Sequence, residues 1–69
     1  LDMLVQLSLD KLPNGYGTVL ELKYIEGLSV VEIAQQMDVT EIAVQSLLAR
    51  ARKAFRTLFS DLEHEFHQA

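Results

Sequence analysis

The stretch that decides the fold covers residues 26–53 and reads EGLSVVEIAQQMDVTEIAVQSLLARARK. Ser29 followed by Glu32 has the S-x-x-E spacing of a capping box, in which the hydroxyl and the carboxylate each bind a backbone N–H that a helix start leaves unpaired. A short helix is therefore predicted to begin there. Asp38 lies in a break of the apolar pattern, and Thr40 just after it is a favourable N-cap residue. A second, longer helix is predicted to begin at Thr40.

Apolar residues recur at three- and four-residue steps on both sides of this turn. The stripe of the shorter helix comprises Val30, Ile33, Ala34 and Met37. The stripe of the longer helix comprises Val44, Leu48, Ala51, Phe55, Leu58, Leu62 and Phe66. Rotation by about 100° per residue puts residues 44–58 of that stripe inside. The opposite side then carries Ile42, Ala43, Gln45, Ser46, Ala49, Arg50 and Lys53. A bracing helix, a tight turn and a helix with a small, polar and basic outer side are typical of a helix-turn-helix, whose second helix enters the DNA major groove.

Two more helices are predicted upstream. The apolar side of the first comprises Leu1, Leu4 and Leu7, together with Val5 and Leu12. This helix must stop before Pro13, which is then expected to open the second helix at its first turn. The apolar surface of the second helix comprises Tyr16, Val19, Leu20, Leu22, Tyr24 and Ile25. Gly15 and Gly17 are expected to weaken its first turns by about 1 kcal/mol each relative to alanine, and Gly27 to end it. The predicted fold class is all-α: a four-helix helix-turn-helix domain over residues 1–69, in which a DNA-binding three-helical bundle carries a long C-terminal helix.

Composition excludes several classes of protein. The chain has 69 residues, 49% of them hydrophobic, and no cysteine. It therefore has neither a disulfide framework nor a thiolate metal site, which indicates a reducing, cytoplasmic compartment. No apolar run approaches the ~20 residues needed to span a membrane. Because residue 1 is leucine, we expect the chain to be the C-terminal part of a longer protein.

Charge is unevenly distributed along the chain. The formal net charge is -4, whereas a nucleic-acid-binding domain is usually basic. Residues 40–60, however, hold four cations, Arg50, Arg52, Lys53 and Arg56, against Glu41 alone, which gives +3. The cations are thus concentrated in the predicted long helix.

Side chains near the start of the long helix have the chemistry for reading DNA. Gln45 can pair with adenine through two hydrogen bonds, and Ile42 can contact a thymine methyl group. Arg50, Lys53 and Arg56 follow at positions suited to phosphates, while Arg52 lies nearer the buried side and is a candidate to pair with an acidic neighbour. The residues expected to contact DNA are Ser29, Thr40, Glu41, Ile42, Gln45, Ser46, Ala49, Arg50, Lys53 and Arg56.

The remaining features of the sequence indicate a protein partner, and they indicate neither a metal site nor an active site. Leu47, Leu62 and Phe66 lie beside or beyond the part of the long helix that short helices can cover, and are candidates to contact another protein. His64 and His67 are three residues apart but lack further ligands, so no metal site is predicted. We find neither a nucleophile beside a base nor a Gly-rich phosphate loop, and predict no enzyme activity and no cofactor.

A longer motif extends in both directions from the helix-turn-helix. It comprises Leu12-Pro13, Tyr16, and the run VLELKYIEGLSVVEIAQQMDVTEIAVQSLLARARKAF over residues 19–55. This motif resembles region 4 of the sigma-70 family of RNA polymerase sigma factors, especially the extracytoplasmic-function (ECF) group. The resemblance implies recognition of the promoter -35 element by the helix that starts at Thr40, and binding of the polymerase β-subunit flap by other surfaces. In many relatives an anti-sigma factor occludes these surfaces.

The chain departs from the family pattern at four places. The family often has basic residues where Gly17 and Gln45 stand, and glycines where Asp38 stands and near Ile42. Each missing basic residue is expected to lower the salt-dependent part of the affinity for DNA phosphates. A domain tethered to polymerase tolerates such weak binding, because the tether raises its effective concentration at the promoter.

Two alternatives come from other functional classes. The acidic net charge and the apolar tail are also typical of an interaction module of the same fold that binds an anti-sigma factor or another regulator without reading DNA. A dimeric transcriptional regulator is a third reading, and it requires the C-terminal helix to pair with a second copy.

Overall fold

Residues 2–13 and 15–66 are described by the computed structural model, and they form four helices. Helix α1 spans Met3–Lys11, α2 spans Tyr16–Leu20, α3 spans Val30–Met37 and α4 spans Glu41–Phe66. Helix α2 continues directly into a π-helical segment, Glu21–Ile25. The all-α helix-turn-helix class is therefore confirmed.

Helix α1 starts and stops near the predicted positions, but it buries a different face. The Asp2 carboxylate caps it by accepting a hydrogen bond of 2.7 Å from the Leu4 N–H. The buried residues are Ser8 and Leu9, whereas Leu4 and Leu7 are only half-buried. The prediction of a face built on leucines 1, 4 and 7 is wrong, and residue 1 itself lies outside the described residues. Because leucines surround this helix on several sides, contact with its neighbours selects the buried face.

Burying Ser8 costs little because its hydrogen bond is made within the helix. Its hydroxyl donates to the Leu4 carbonyl at 2.8 Å. A buried hydroxyl without such a partner would destabilise the fold. The small polar side chain therefore lets α1 lie close to the rest of the bundle.

Helix α2 begins at Tyr16, not at Pro13 as predicted. Gly15 has a φ of 77° and forms the N-cap in the left-handed region. The Pro13 carbonyl accepts a hydrogen bond of 3.0 Å from the Tyr16 N–H, so Pro13 belongs to the turn that precedes the helix. The left-handed residue between them interrupts the helical backbone and delays its start.

Gly17 of α2 is buried against the backbone of α1. A Cβ atom added there would overlap the carbonyl oxygen of Leu9 and lie 3.3 Å from its carbonyl carbon. Gly17 therefore permits this approach, in addition to any cost in helix propensity. The expectation that a basic residue at this position would strengthen the phosphate grip is wrong for this packing, because position 17 faces α1.

The π-helical segment divides the predicted apolar surface of the second helix. The Glu26 N–H donates to the Glu21 carbonyl at 2.9 Å, a step of five residues that widens the turn. Leu22 remains buried, whereas Tyr24 is 59% and Ile25 49% exposed. Gly27, with φ 74°, ends the helix as predicted.

Helix α4 is the element against which the other three pack. Val44, Leu48 and Ala51 are fully or nearly fully buried, whereas Phe55 and Leu58 of the predicted inner stripe are half-buried. The full set of buried apolar residues is Leu9, Val19, Leu20, Leu22, Ile33, Ala34, Val44, Leu48 and Ala51. The described residues measure 44 × 20 × 14 Å, because α4 extends beyond the bundle.

Candidate nucleic-acid interface

The turn between α3 and α4 is fixed by caps at both of its ends. The capping box at the start of α3 is formed as predicted, with Ser29 and Glu32 exchanging hydrogen bonds of 2.9 and 3.1 Å. At the other side, the Thr40 hydroxyl accepts a hydrogen bond of 3.1 Å from the Ala43 N–H. Asp38, at the end of α3, adopts the left-handed conformation with φ 57° and ψ 48°. Aspartate tolerates that conformation better than most residues, which explains how it replaces a glycine at this turn.

The capping box also shifts the acidity of Glu32. The pKa of its carboxyl group lies below the ordinary value, chiefly because the carboxylate accepts the hydrogen bond from the Ser29 backbone. Ser29 and Thr40 were predicted to contact DNA, and both hydroxyls accept capping bonds. Each hydroxyl keeps its own hydrogen to donate, so a second bond to a phosphate is compatible with the cap.

The first half of α4 presents one exposed row of four side chains. Ile42, Ser46, Ala49 and Lys53 follow one another at steps of four, three and four residues, so they lie on one face of the helix. All four are exposed, and Ile42 is 76% exposed. The side chains at 46 and 49 are small. The row begins at the capped N-terminus, where the helix dipole is positive.

Other predicted residues flank this row. Glu41, Ala43, Gln45 and Arg50 are exposed, as expected. The Arg50 Nε donates to the Ser46 carbonyl at 3.3 Å, which holds the guanidinium along the helix beside the row. The structure therefore brings together the predicted residues from Thr40 to Lys53 on one accessible surface.

Arg56 lies elsewhere. It is exposed, but it lines a second surface together with Arg52. The Arg52 guanidinium donates a hydrogen bond of 2.8 Å to the Tyr24 hydroxyl. Arg52 is half-buried as expected, whereas the prediction that it pairs with an acidic residue is wrong: its partner is the phenol of a residue that the π-helical segment leaves exposed.

The second surface is an apolar groove of about 370 Å³ between α1, the α2 and π-helical segments, and α4. Its apolar lining comprises Val5, Leu9, Leu20, Tyr24, Ile25 and Phe55, and Arg52 and Arg56 complete it. Sequence periodicity missed this groove because its lining comes from three separate segments. The exposed pair of residues at 24 and 25 depends on the π-helical turn.

The three residues predicted to contact a protein partner have different surroundings. Leu47 is half-buried and packs against the core, so its main contacts are within the domain. Leu62 is half-buried, and Phe66 is 53% exposed near the end of α4. The structure therefore leaves the tail of α4 partly uncovered, as the sequence indicates, and Leu47 partly exposed as well.

Neither a metal cluster nor a membrane-spanning helix is found in the described part of the chain. No group of three or more His, Cys, Asp or Glu residues there is placed to hold a metal ion. Of the histidine pair, His64 lies in α4 and His67 lies outside the described residues. None of the helices formed by residues 2–13 and 15–66 is long and apolar enough to cross a membrane.

Comparison with known proteins identifies the family. The family model described as "Sigma-70, region 4" matches residues 2–55. The chain is 38% identical over 58 residues to the ECF RNA polymerase sigma factor SigW of Bacillus subtilis (strain 168), and the alignment covers 84% of this chain and 31% of that protein. The chain thus spans about a third of the length of this curated relative. No solved structure gives a significant match. With a family model that covers most of the chain and a helix-turn-helix at the matching place, the chain belongs to the Sigma-70, region 4 family and is of the ECF type.

Proposed function

We propose that this chain recognises the promoter -35 element and docks on RNA polymerase as region 4 of an ECF sigma factor. The observation that carries the proposal is the exposed row of Ile42, Ser46, Ala49 and Lys53 behind a capped helix start. A helix with its side chains is about 10–12 Å across, and the DNA major groove is about 12 Å wide. Small side chains on the outer row therefore allow the helix to lie deep in the groove.

Side chains in the first turns of α4 contact the edges of the bases. Ile42 is exposed enough to contact a thymine methyl group, and Gln45 beside the row can pair with adenine through two hydrogen bonds. Ser46 is a short donor and acceptor that suits either kind of base pair. Glu41 can accept a hydrogen bond from cytosine, while its charge repels phosphates and so disfavours a misplaced backbone.

Phosphate contacts follow farther along α4. Arg50 and Lys53 are exposed, and they lie one and two helical turns after Ser46 on nearly the same side. The chain is acidic overall, yet its cations are concentrated in this helix. Long-range electrostatic attraction to DNA is consequently weak. We expect the affinity for DNA to come from these few cations and to depend strongly on the tether to polymerase.

The apolar groove is the surface we assign to polymerase. Tyr24, Ile25 and Phe55 offer apolar area, and Arg52 and Arg56 add two cations. This combination suits an amphipathic segment with acidic flanks, such as a helix of the β-subunit flap. Arg56, which the sequence predicted to contact DNA, is therefore proposed to contact polymerase. Because polymerase works in the cytoplasm, the proposal also places the protein there.

A chimaera provides the direct test of DNA reading. This chain would replace the matching segment of the B. subtilis relative, and the chimaera, bound to core polymerase, would select duplexes from a library randomised at the -35 element. We expect a defined sequence to be enriched, and Gln45→Ala to relax preference at one base pair by about 1–3 kcal/mol. Gln36→Ala, an exposed glutamine on α3, is the matched control. Equal recovery of all sequences would refute the proposal.

The interaction module that does not read DNA stays the alternative, and the apolar groove with its exposed Tyr24 favours it. The two functions separate on a heparin column and in a binding assay with the purified β flap. A chain that binds the flap but shows no salt-sensitive retention on heparin is an interaction module. Salt-sensitive retention that falls with Lys53→Ala supports DNA reading.

A further inference from the structure

A third surface lies on the other side of α4 from the apolar groove. It is a shallow groove of about 560 Å³ between the connection from α1 to α2 and the middle of α4. Lys11, the last residue of α1, lines one wall, and Arg50 and Lys53 line the other. Lys11 belongs to the otherwise acidic first part of the chain, so sequence inspection gives no reason to group it with the basic helix. The fold brings these three cations to one groove.

The cations of this groove are not neutralised within the domain. Among the described residues, Lys11 and Lys53 form no ion pair or side-chain hydrogen bond, and Arg50 donates only to the Ser46 carbonyl of its own helix. Asp61 is the one carboxylate among the lining residues. It lies about 12 Å along α4 from Lys53, at the rise of 1.5 Å per residue. The groove therefore carries an excess of two positive charges in a chain whose net charge is -4.

The groove is continuous with the row that faces the bases. Arg50 and Lys53 follow Ser46 by four and seven residues, which places them about 40° and 20° from it around the helix axis. A DNA strand that borders the major groove next to Ser46 would therefore run past both cations. Tyr16 and Thr57, whose hydroxyls can donate hydrogen bonds, also line the groove. Its chemistry suits a chain of phosphodiesters, which requires cations and donors spaced along a track.

We propose that Lys11 is a third phosphate-contacting cation, and that the groove of Lys11, Arg50 and Lys53 binds the sugar–phosphate backbone beside the -35 element. The inference rests on the proposed DNA-reading function and adds a contact from outside the helix-turn-helix. It gives α1 a role in binding as well as in packing. It also extends the backbone footprint across the junction between α1 and α2.

The salt dependence of duplex binding tests the role of Lys11. Fluorescence anisotropy of the chimaera bound to core polymerase, with a labelled duplex that carries the selected -35 element, would be recorded at increasing salt for the wild type, Lys11→Ala, Lys11→Arg and Lys23→Ala. Loss of one phosphate contact lowers the slope of log affinity against log salt by about 0.9. For Lys11→Ala, the fall in affinity from roughly 50 to 200 mM salt should therefore be about 3.5-fold smaller than for the wild type. Lys11→Arg should keep the wild-type slope.

Lys23→Ala is the matched control, because it removes the same charge from a residue that lines neither groove. Equal slopes for Lys11→Ala and Lys23→Ala would overturn the role of Lys11 while leaving the proposed function intact. A Lys11→Arg variant that behaves like Lys11→Ala would overturn it too, since the positive charge is then not what matters. If the polymerase-bound chimaera binds all duplexes equally, whatever their -35 sequence, the DNA-reading function fails and this inference fails with it. Lys11 is exposed, so thermal melts should confirm that all variants fold.

Discussion

Replacing Gly17 by alanine sets two physical effects against each other. In an exposed helix, Gly→Ala stabilises by about 1 kcal/mol through backbone entropy. Here the added methyl group would overlap the carbonyl oxygen of Leu9, which is backbone and cannot rotate away. Restoring van der Waals distance requires α1 to retreat by roughly 1 Å, with loss of packing across the bundle. We expect overpacking to cost about 3 kcal/mol and the net loss in the free energy of unfolding to be about 2 kcal/mol.

Thermal unfolding followed by circular dichroism measures this loss. For a domain of 60–100 residues, each kcal/mol shifts Tm by about 4–8 °C, so Gly17→Ala should melt about 8–16 °C below the wild type. Thr18→Ala, at the exposed neighbouring position, is the control and should change the free energy of unfolding by less than about 0.5 kcal/mol. A Gly17→Ala variant that melts above the wild type would refute the close approach of α1 to α2.

Three further predictions concern the start of α3, the turn that follows it, and α4. Glu32→Gln keeps an oxygen that can accept the capping hydrogen bond but removes the group that titrates. The pKa of Glu32 is lowered in the folded state. Its contribution to the free energy of unfolding is therefore full above the ordinary pKa of 4.5 and is lost as the pH falls through the folded pKa. The wild type should therefore lose stability relative to Glu32→Gln in acid melts, and parallel pH curves would contradict this. Asp38→Gly should raise the free energy of unfolding by about 0.5–1 kcal/mol in urea titrations, because glycine adopts the left-handed conformation at no steric cost. Leu48→Ala, at a position 2% exposed, should cost about 3 kcal/mol, whereas Phe66→Ala, at 53% exposed, should change stability by less than about 0.5 kcal/mol in the same assay.

The helix-turn-helix was predictable because its signals are local. The capping box of Ser29 and Glu32 and the N-cap at Thr40 involve residues three apart, and each works as soon as its helix forms. The exposed row of α4 likewise follows from the helical period alone. The exposure of the outer side chains between residues 40 and 53 was therefore predicted correctly, whereas their contacts with DNA stay a prediction.

The upstream half was less predictable because tertiary packing decides it. Leu9 is buried, and Leu4 only half-buried, because the backbone of α1 at Leu9 lies against Gly17 of α2, a contact between segments that spacing alone does not show. The π-helical turn has no sequence signal strong enough to predict it, yet it is what exposes Tyr24 beside α4. Both grooves depend on such contacts between distant segments, so no pattern of spacing could have found either of them.

The run of cations on α4 shows why a sequence cluster is not the same as a surface patch. Arg52 and Lys53 are adjacent in the chain, but the helix turns by about 100° between them, and they line opposite grooves. Arg56 follows Arg52 by four residues and shares the apolar groove, while Arg50 shares the cationic groove with Lys53. Two cations are thus available to an acidic protein partner and two to phosphates. Under the proposed function, one helix would bind polymerase and DNA at the same time, because the two surfaces use different cations.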